Sequence, residues 1–221
     1  MITRIYFWSI PKRLLIWAIL RMWLDRRPLK KNSNIKFWKL LGTGKGLTFT
    51  PRDADPTRWG LLVVIDEGSL SEFENSSIIN SWNQRATARF SATLRCISVH
   101  GTWSRKKPFN HEVDPREWHG QVAAITRARI KLRKNFIFWR AVPPVTTSLL
   151  TAPGLIRAIG IGEAPLGLQG TFSIWSDPLS ISTFAYRGAA HQEAISATAR
   201  EKWYAEELFS RFAVIESSGE F

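Results

Sequence analysis

Four histidines and one cysteine are the side chains of this chain best suited to ligating or redox chemistry. They are His100, His111, His119, His191 and Cys96. A lone cysteine rules out an intrachain disulfide and any cysteine-based zinc site, and it fits a reducing compartment. His111 and His119 lie in a polar stretch beside Asp114, Arg116 and Glu117, where a histidine is ordinarily solvated. His100 precedes Gly101 at the end of a strand-like run, a place for a turn or capping role. His191 stands apart: it follows Gly188-Ala189-Ala190 on a run of helical character, with Ala194 and Ile195 three and four residues on. Small side chains before it admit close approach of a flat ligand, and the apolar neighbours give that face a dry surround. A buried, hydrogen-bonded histidine is the competing reading. Gly42-Thr-Gly-Lys-Gly46 looks like a phosphate loop but lacks its spacing and its Lys-Ser/Thr pair; a hairpin turn is expected there.

The elements that would position these residues follow from hydrophobic period and breakers. Strands are expected over 2–8, 35–41, 59–65 and 87–99 in the first half, and over 122–132, 155–162, 170–175 and 208–215 in the second. Helices are expected from Pro11 to about Arg26, ended by Pro28, then over 70–82, from Asn135 to about Leu150 with a break at Pro143-Pro144, and over 181–198. Residues 101–119 read as a long polar loop. Each half thus runs strand, helix, strand, strand, helix, strand. Gly42-Thr-Gly44 echoes Gly160-Ile-Gly162, and Val64-Ile65 with Phe73 echoes Ile174-Trp175 with Phe184. In that alignment Asn80 occupies the place of His191, so only the second half bears the histidine. The expected fold is α+β: two fused ferredoxin-like halves, residues 1–120 and 121–221, forming an intrachain α/β barrel.

Composition bounds the partners. The chain has 221 residues, 44% of them hydrophobic, with eleven Trp and thirteen Phe, enough for a real core and for an extended apolar ligand. The formal charge of +13 favours anionic partners. The basic residues form separate clusters at 26–31, 105–107 and 127–134, not one stripe alternating with exposed aromatics, so no specific nucleic-acid partner is expected. The apolar segment 14–20 is interrupted by Arg13 and Arg21 and is too short to span a bilayer. A cytoplasmic protein is expected, with the 11–26 helix either packed on its own sheet or docked on the inner face of a membrane.

Dispersed, ordered segments carry a resemblance. They include Phe37-Trp-Lys-Leu-Leu-Gly-Thr-Gly-Lys-Gly-Leu-Thr-Phe-Thr-Pro51, Thr126-Arg-Ala-Arg-Ile130 and Phe138-Trp-Arg-Ala-Val-Pro-Pro144. Ala152-Pro-Gly-Leu155, Gly160-Ile-Gly-Glu163, Gly167-Leu-Gln-Gly-Thr-Phe172, Phe184-Ala-Tyr-Arg-Gly-Ala-Ala-His191 and Trp203-Tyr-Ala-Glu-Glu-Leu-Phe209 complete the set. In these the chain resembles the spheroidene monooxygenases of carotenoid biosynthesis. The resemblance implies a haem-dependent ketolase that oxidises an acyclic carotenoid with O2 and electrons from a ferredoxin-type donor. Under that reading His191 is the axial ligand of the haem iron, with Cys96 as the alternative. Arg187, Arg127, Arg129 and Arg140 are candidates for the haem propionates. Glu163, as a proton relay, and Tyr186 are the catalytic candidates. Trp38, Trp59, Trp139, Trp175 and Tyr186 are candidates to line a dry substrate channel. A haem- or small-molecule-binding barrel without oxygenase activity is the alternative, as monomer or homodimer.

Overall fold

The computed structural model describes residues 1–46, 48, 53–130, 146–163, 170–187 and 204–221, without the side chains of 186 and 187. Eight strands close into an antiparallel barrel in the order β1-β3-β2-β6-β7-β5-β8-β4. They are β1 (Ile2–Ser9), β2 (Ile35–Gly44), β3 (Ala54–Ile65), β4 (Ala88–Gly101), β5 (Val122–Ile130), β6 (Leu155–Gly162), β7 (Gly170–Trp175) and β8 (Tyr204–Gly219). The first four pair as β4-β1-β3-β2 and the last four as β8-β5-β7-β6, the same ferredoxin-like order twice. Two seams join them: β4 on β8, and the short β2–β6 contact. In the second seam Gly42 pairs with Gly162 and Thr43 with Ile161, so the two echoing glycine segments meet each other.

Closing the sheet on itself removes every open edge and encloses one face of each strand. Strand alternation then sorts the side chains. Ile5, Phe7, Phe37, Leu41, Leu62, Phe90, Leu94, Cys96, Phe172 and Phe212 fill the interior. Aromatic rings pack at one end of it: Phe7, Phe90 and Phe172 lie against Phe221 with centroids 4.7–6.2 Å apart. Outside the first sheet, Tyr6, Trp8, Trp59, Leu61 and Val63 pack beneath a helical layer. That layer consists of α1 (Leu15–Leu24), α2 (Arg26–Lys31), α3 (Leu70–Glu74) and α4 (Ser77–Asn83). Outside the second sheet, residues 146–150 are helical (α5), and α6 (Pro178–Arg187) packs Ile181 and Phe184 near Val122 and Trp175.

Several boundaries differ from expectation for identifiable reasons. Pro28 does not end a helix; it is the third residue of α2, where its missing N–H would find no intrahelical acceptor anyway. The break falls at Asp25, which is buried, accepts the Trp82 indole N–H at 2.9 Å and pairs with Arg21. Gly42 and Gly44 belong to β2 and not to a hairpin turn, because β6 pairs Gly162 with Gly42 and β3 pairs Ala54 with Gly44. β8 runs well past the expected 208–215 because two neighbours, β4 and β5, pair along it. The two echoes also disagree in register. Matching Gly42 to Gly160 aligns Leu62, the partner of Lys39, with Ile174, the partner of Arg157, two residues from the Val64 alignment. A slip of two keeps every side chain on its face. The expected helical residues 135–145 and 188–198, and with them the Asn80–His191 correspondence, lie outside the described residues.

Candidate functional site

The second sheet presents two faces, and both bear on function. Inside the barrel, Arg127, Glu163 and Glu206 meet near one end. The Arg127 guanidinium bonds Glu163 Oε1 through Nη2 at 2.8 Å, and its Nη1 bonds Glu206 Oε2. Lys39 reaches Glu163 Oε2 from β2. The loop after β4 closes over them: Trp103 Nε1 donates to Glu163 Oε1 at 2.6 Å, and the Arg105 amide donates to Glu206 Oε1 at 2.6 Å. Ser104 and Arg105 hold positive φ, 54° and 60°, a strained conformation that turns both amides onto the Glu206 carboxylate. Residues 101–119 are therefore more than a polar loop, since Trp103 and Phe109 are buried in the barrel core.

This arrangement fixes the charge states. Burial pushes Glu206 up, but the Arg105 amide, the Arg127 guanidinium and the Thr102 hydroxyl outweigh it and bring its pKa down to about 2. Burial likewise raises Glu163, yet Lys39, Trp103 and Arg127 together hold it below the ordinary carboxylate range. A relay gives and takes a proton near the working pH; the partners of Glu163 favour its ionised form. Arg127 has both arms on carboxylates, so the structure places it in the barrel wall. Arg129 is exposed at the same end of β5.

On the outer face the same strands carry small residues. Ala124, Ser173 and Ala158 lie side by side across β5, β7 and β6, and Thr126, Thr171 and Gly160 form the next row. On the first sheet the outer rows are Tyr6, Leu61 and Leu40, then Trp8, Trp59 and Gly42. One outer face is thus filled by its own large side chains, and the other is a bed of small ones, of which Ala124, Gly160 and Ser173 are buried. Trp175 bounds the bed, its ring tilted against Phe184 at 5.2 Å and its indole N–H donated to Ser173 Oγ at 2.9 Å. Trp38 and Trp59 pack outside the first sheet, a different face from Trp175, so these tryptophans do not line one channel.

The remaining candidates fall as follows. His100, His111 and His119 are exposed; His100 lies 3.7 Å from Glu207. Cys96 is buried inside the barrel, where desolvation and the Glu112 charge push its thiol up to about 12, unlike a preformed thiolate ligand. His191, Arg140 and Trp139 lie outside the described residues, as do the side chains of Tyr186 and Arg187. Among the described residues no group of three or more His, Cys, Asp or Glu could hold a metal ion, and no helix is long and apolar enough to cross a membrane. Sequence reasoning missed Lys39, Trp103 and Glu206. A signal existed for the first: Lys39 alternates with Phe37 and Leu41 and so shares their inward face.

Comparison with known proteins decides the family. The chain is 36% identical over 206 residues to a spheroidene monooxygenase of Rhodobacter capsulatus, covering 92% of this chain and 85% of that protein. The chain belongs to the spheroidene monooxygenase family. A second member, from Cereibacter sphaeroides, is 34% identical over 210 residues, covering 93% of this chain and 64% of that protein. No general protein-family model matches. Among solved structures, an aldoxime dehydratase crystallised with butyraldoxime superposes with a TM-score of 0.60 at 10% identity, covering 97% of this chain and 79% of that one. That likeness bears on the fold alone. As a spheroidene monooxygenase relative, this chain is an oxygen-using oxidoreductase.

Proposed function

We propose that the chain is a haem-dependent monooxygenase that converts a methylene of an acyclic carotenoid to a keto group, using O2 and electrons from a ferredoxin-type donor. The observation that carries the reading is the bed of Ala124, Ser173, Ala158, Thr126, Thr171 and Gly160 on the outer face of the second sheet. A porphyrin is broad, flat and apolar, and a floor of minimal side chains leaves room for it where the first sheet has tryptophan and tyrosine. The sequence supports the donor as well, since His191 has Ala189, Ala190, Ala194 and Ile195 as chain neighbours and a single imidazole is the ordinary axial ligand of such an iron.

In this reading His191, which follows the end of α6 by four residues in the chain, holds the iron, and the bound haem supplies the activation of O2. Arg187, Arg140 and Arg129 are the proposed propionate partners; Arg127 supports the floor from beneath by holding Glu163 and Glu206. Trp175 and Phe184 close one side of the bed against water, which protects a reactive oxidant from unproductive reduction. Tyr186 is proposed to lie beside the substrate chain.

The test is spectroscopic first. Protein supplied with haem is expected to show a Soret band, and His191→Ala to lose it while keeping its far-ultraviolet circular dichroism. Expression of the unaltered chain in a host that accumulates acyclic carotenoids is expected to yield keto products. A pigmented protein without keto products would favour the binding-only barrel.

A further inference from the structure

We propose that α1 and α2 form a docking site for an anionic lipid bilayer. Ile16, Ile19, Leu20, Trp23 and Leu24 are 76, 55, 54, 70 and 48% exposed. Their spacing of three and four puts them on one stripe of α1, along a helix about 15 Å long. Helix α1 therefore has two apolar faces. Ala18 and Trp17 serve the inner one, where Trp17 meets Trp82 edge-on at 4.8 Å. The outer one faces solvent.

What flanks the stripe selects its occupant. Lys12 and Arg13 precede it, and Arg26, Arg27, Lys30 and Lys31 follow it on α2; all six are exposed. The one acid between residues 12 and 31 is Asp25, which is buried and neutralised by Arg21. An apolar stripe with cations at both ends matches the layering of a lipid surface, acyl chains beneath and phosphates at the rim. A second copy of this chain is a poorer match, because apposing two such faces would bring like charges together. Each exposed cation is worth roughly fivefold in partition onto an anionic leaflet. Docking in this way would bring the enzyme to a substrate that dissolves in acyl chains.

The experiment is flotation of the purified full chain with vesicles of phosphatidylglycerol and phosphatidylcholine in equal parts, against phosphatidylcholine alone. The expected result is flotation with the anionic vesicles that weakens in high salt. Trp23→Asp with Ile19→Asp should lower partition at least about tenfold, and Arg26→Glu with Arg27→Glu should do the same. Both variants change exposed residues, and circular dichroism checks that they fold. No flotation of the unaltered chain, or flotation unchanged in both variants, overturns the proposal. So does a dimer in light scattering that Trp23→Asp splits, since the face then belongs to a second copy. Vesicle binding is read without haem or turnover, so its failure leaves the oxygenase reading untouched.

Discussion

Arg127→Met is expected to destabilise the protein by about 3–5 kcal/mol, a fall in Tm of roughly 10 °C for a chain of this size. The guanidinium is the shared counter-charge of Glu163 and Glu206, whose side chains are 27 and 6% exposed. Removing it leaves two carboxylates facing each other with, among the described residues, Lys39, Trp103, the Thr102 hydroxyl and the Ser104 and Arg105 amides as partners. An unpaired buried charge is costlier than the pair is favourable, so the loss should exceed that of an ordinary surface ion pair several-fold. Urea unfolding of both chains at neutral pH measures it. Adding Glu206→Gln to Arg127→Met should recover part of the loss, because the second substitution removes the orphaned charge.

The same group sets an acid dependence. The folded pKa of Glu206 is depressed to about 2 from an ordinary 4.5. Its contribution is therefore complete above the unfolded value, and it drains away as pH falls from about 4.5 towards 2. Glu163, also depressed, acts in the same direction. Stability of the unaltered chain should drop across that window, and Arg127→Met should show a shallower drop, since its carboxylates gain less from staying ionised. Parallel acid titrations for the two proteins would refute this assignment of the charge network.

How much of this was written in the sequence depends on which physical signal carried it. Strands β6 and β7 are bounded as expected because glycines delimit short apolar runs at both places. The double ferredoxin-like order was legible because each half repeats the same alternation of periods. The ends of β2 and β8 were not, since partners far along the chain extend them past local breakers. Pro28 misled for a related reason. A proline stops a helix only where an N–H is needed, and a new helix begins just before it. The ion cluster was half legible. Glu163 and Arg127 were noticed singly, but their pairing joins positions 36 residues apart and includes Glu206 a further 43 along the chain. No local pattern encodes that meeting. The exposed stripe on α1 was legible as an apolar run, but which of its two faces the sheet would cover was not.

Thr126→Trp is expected to leave a folded protein that retains about tenfold less haem, and Gly160→Leu, at a buried position, to lose haem at a folding cost of about 1–3 kcal/mol, since forcing extra volume into a fitted site costs that much. Among the described residues the glycines with positive φ are Gly46, Gly101, Gly154 and Gly219. The backbone at Gly160 therefore does not demand glycine, although the residue is buried. Thr126 is exposed although β7 and β8 flank it on both sides, so a larger side chain there meets no described neighbour to displace. The folding cost should accordingly stay within about 0.5 kcal/mol at Thr126, a change of no more than about 2 °C in Tm. A bulky group on the first sheet is the fitting control. Trp8 and Trp59 already fill the outer row there, so Trp59→Leu should lower stability and leave haem retention alone. Absorbance at the Soret band per mole of protein, after reconstitution and gel filtration, reads all three variants. Equal retention in Thr126→Trp, Gly160→Leu and the unaltered chain would mean that the bed of small side chains is not where the pigment lies.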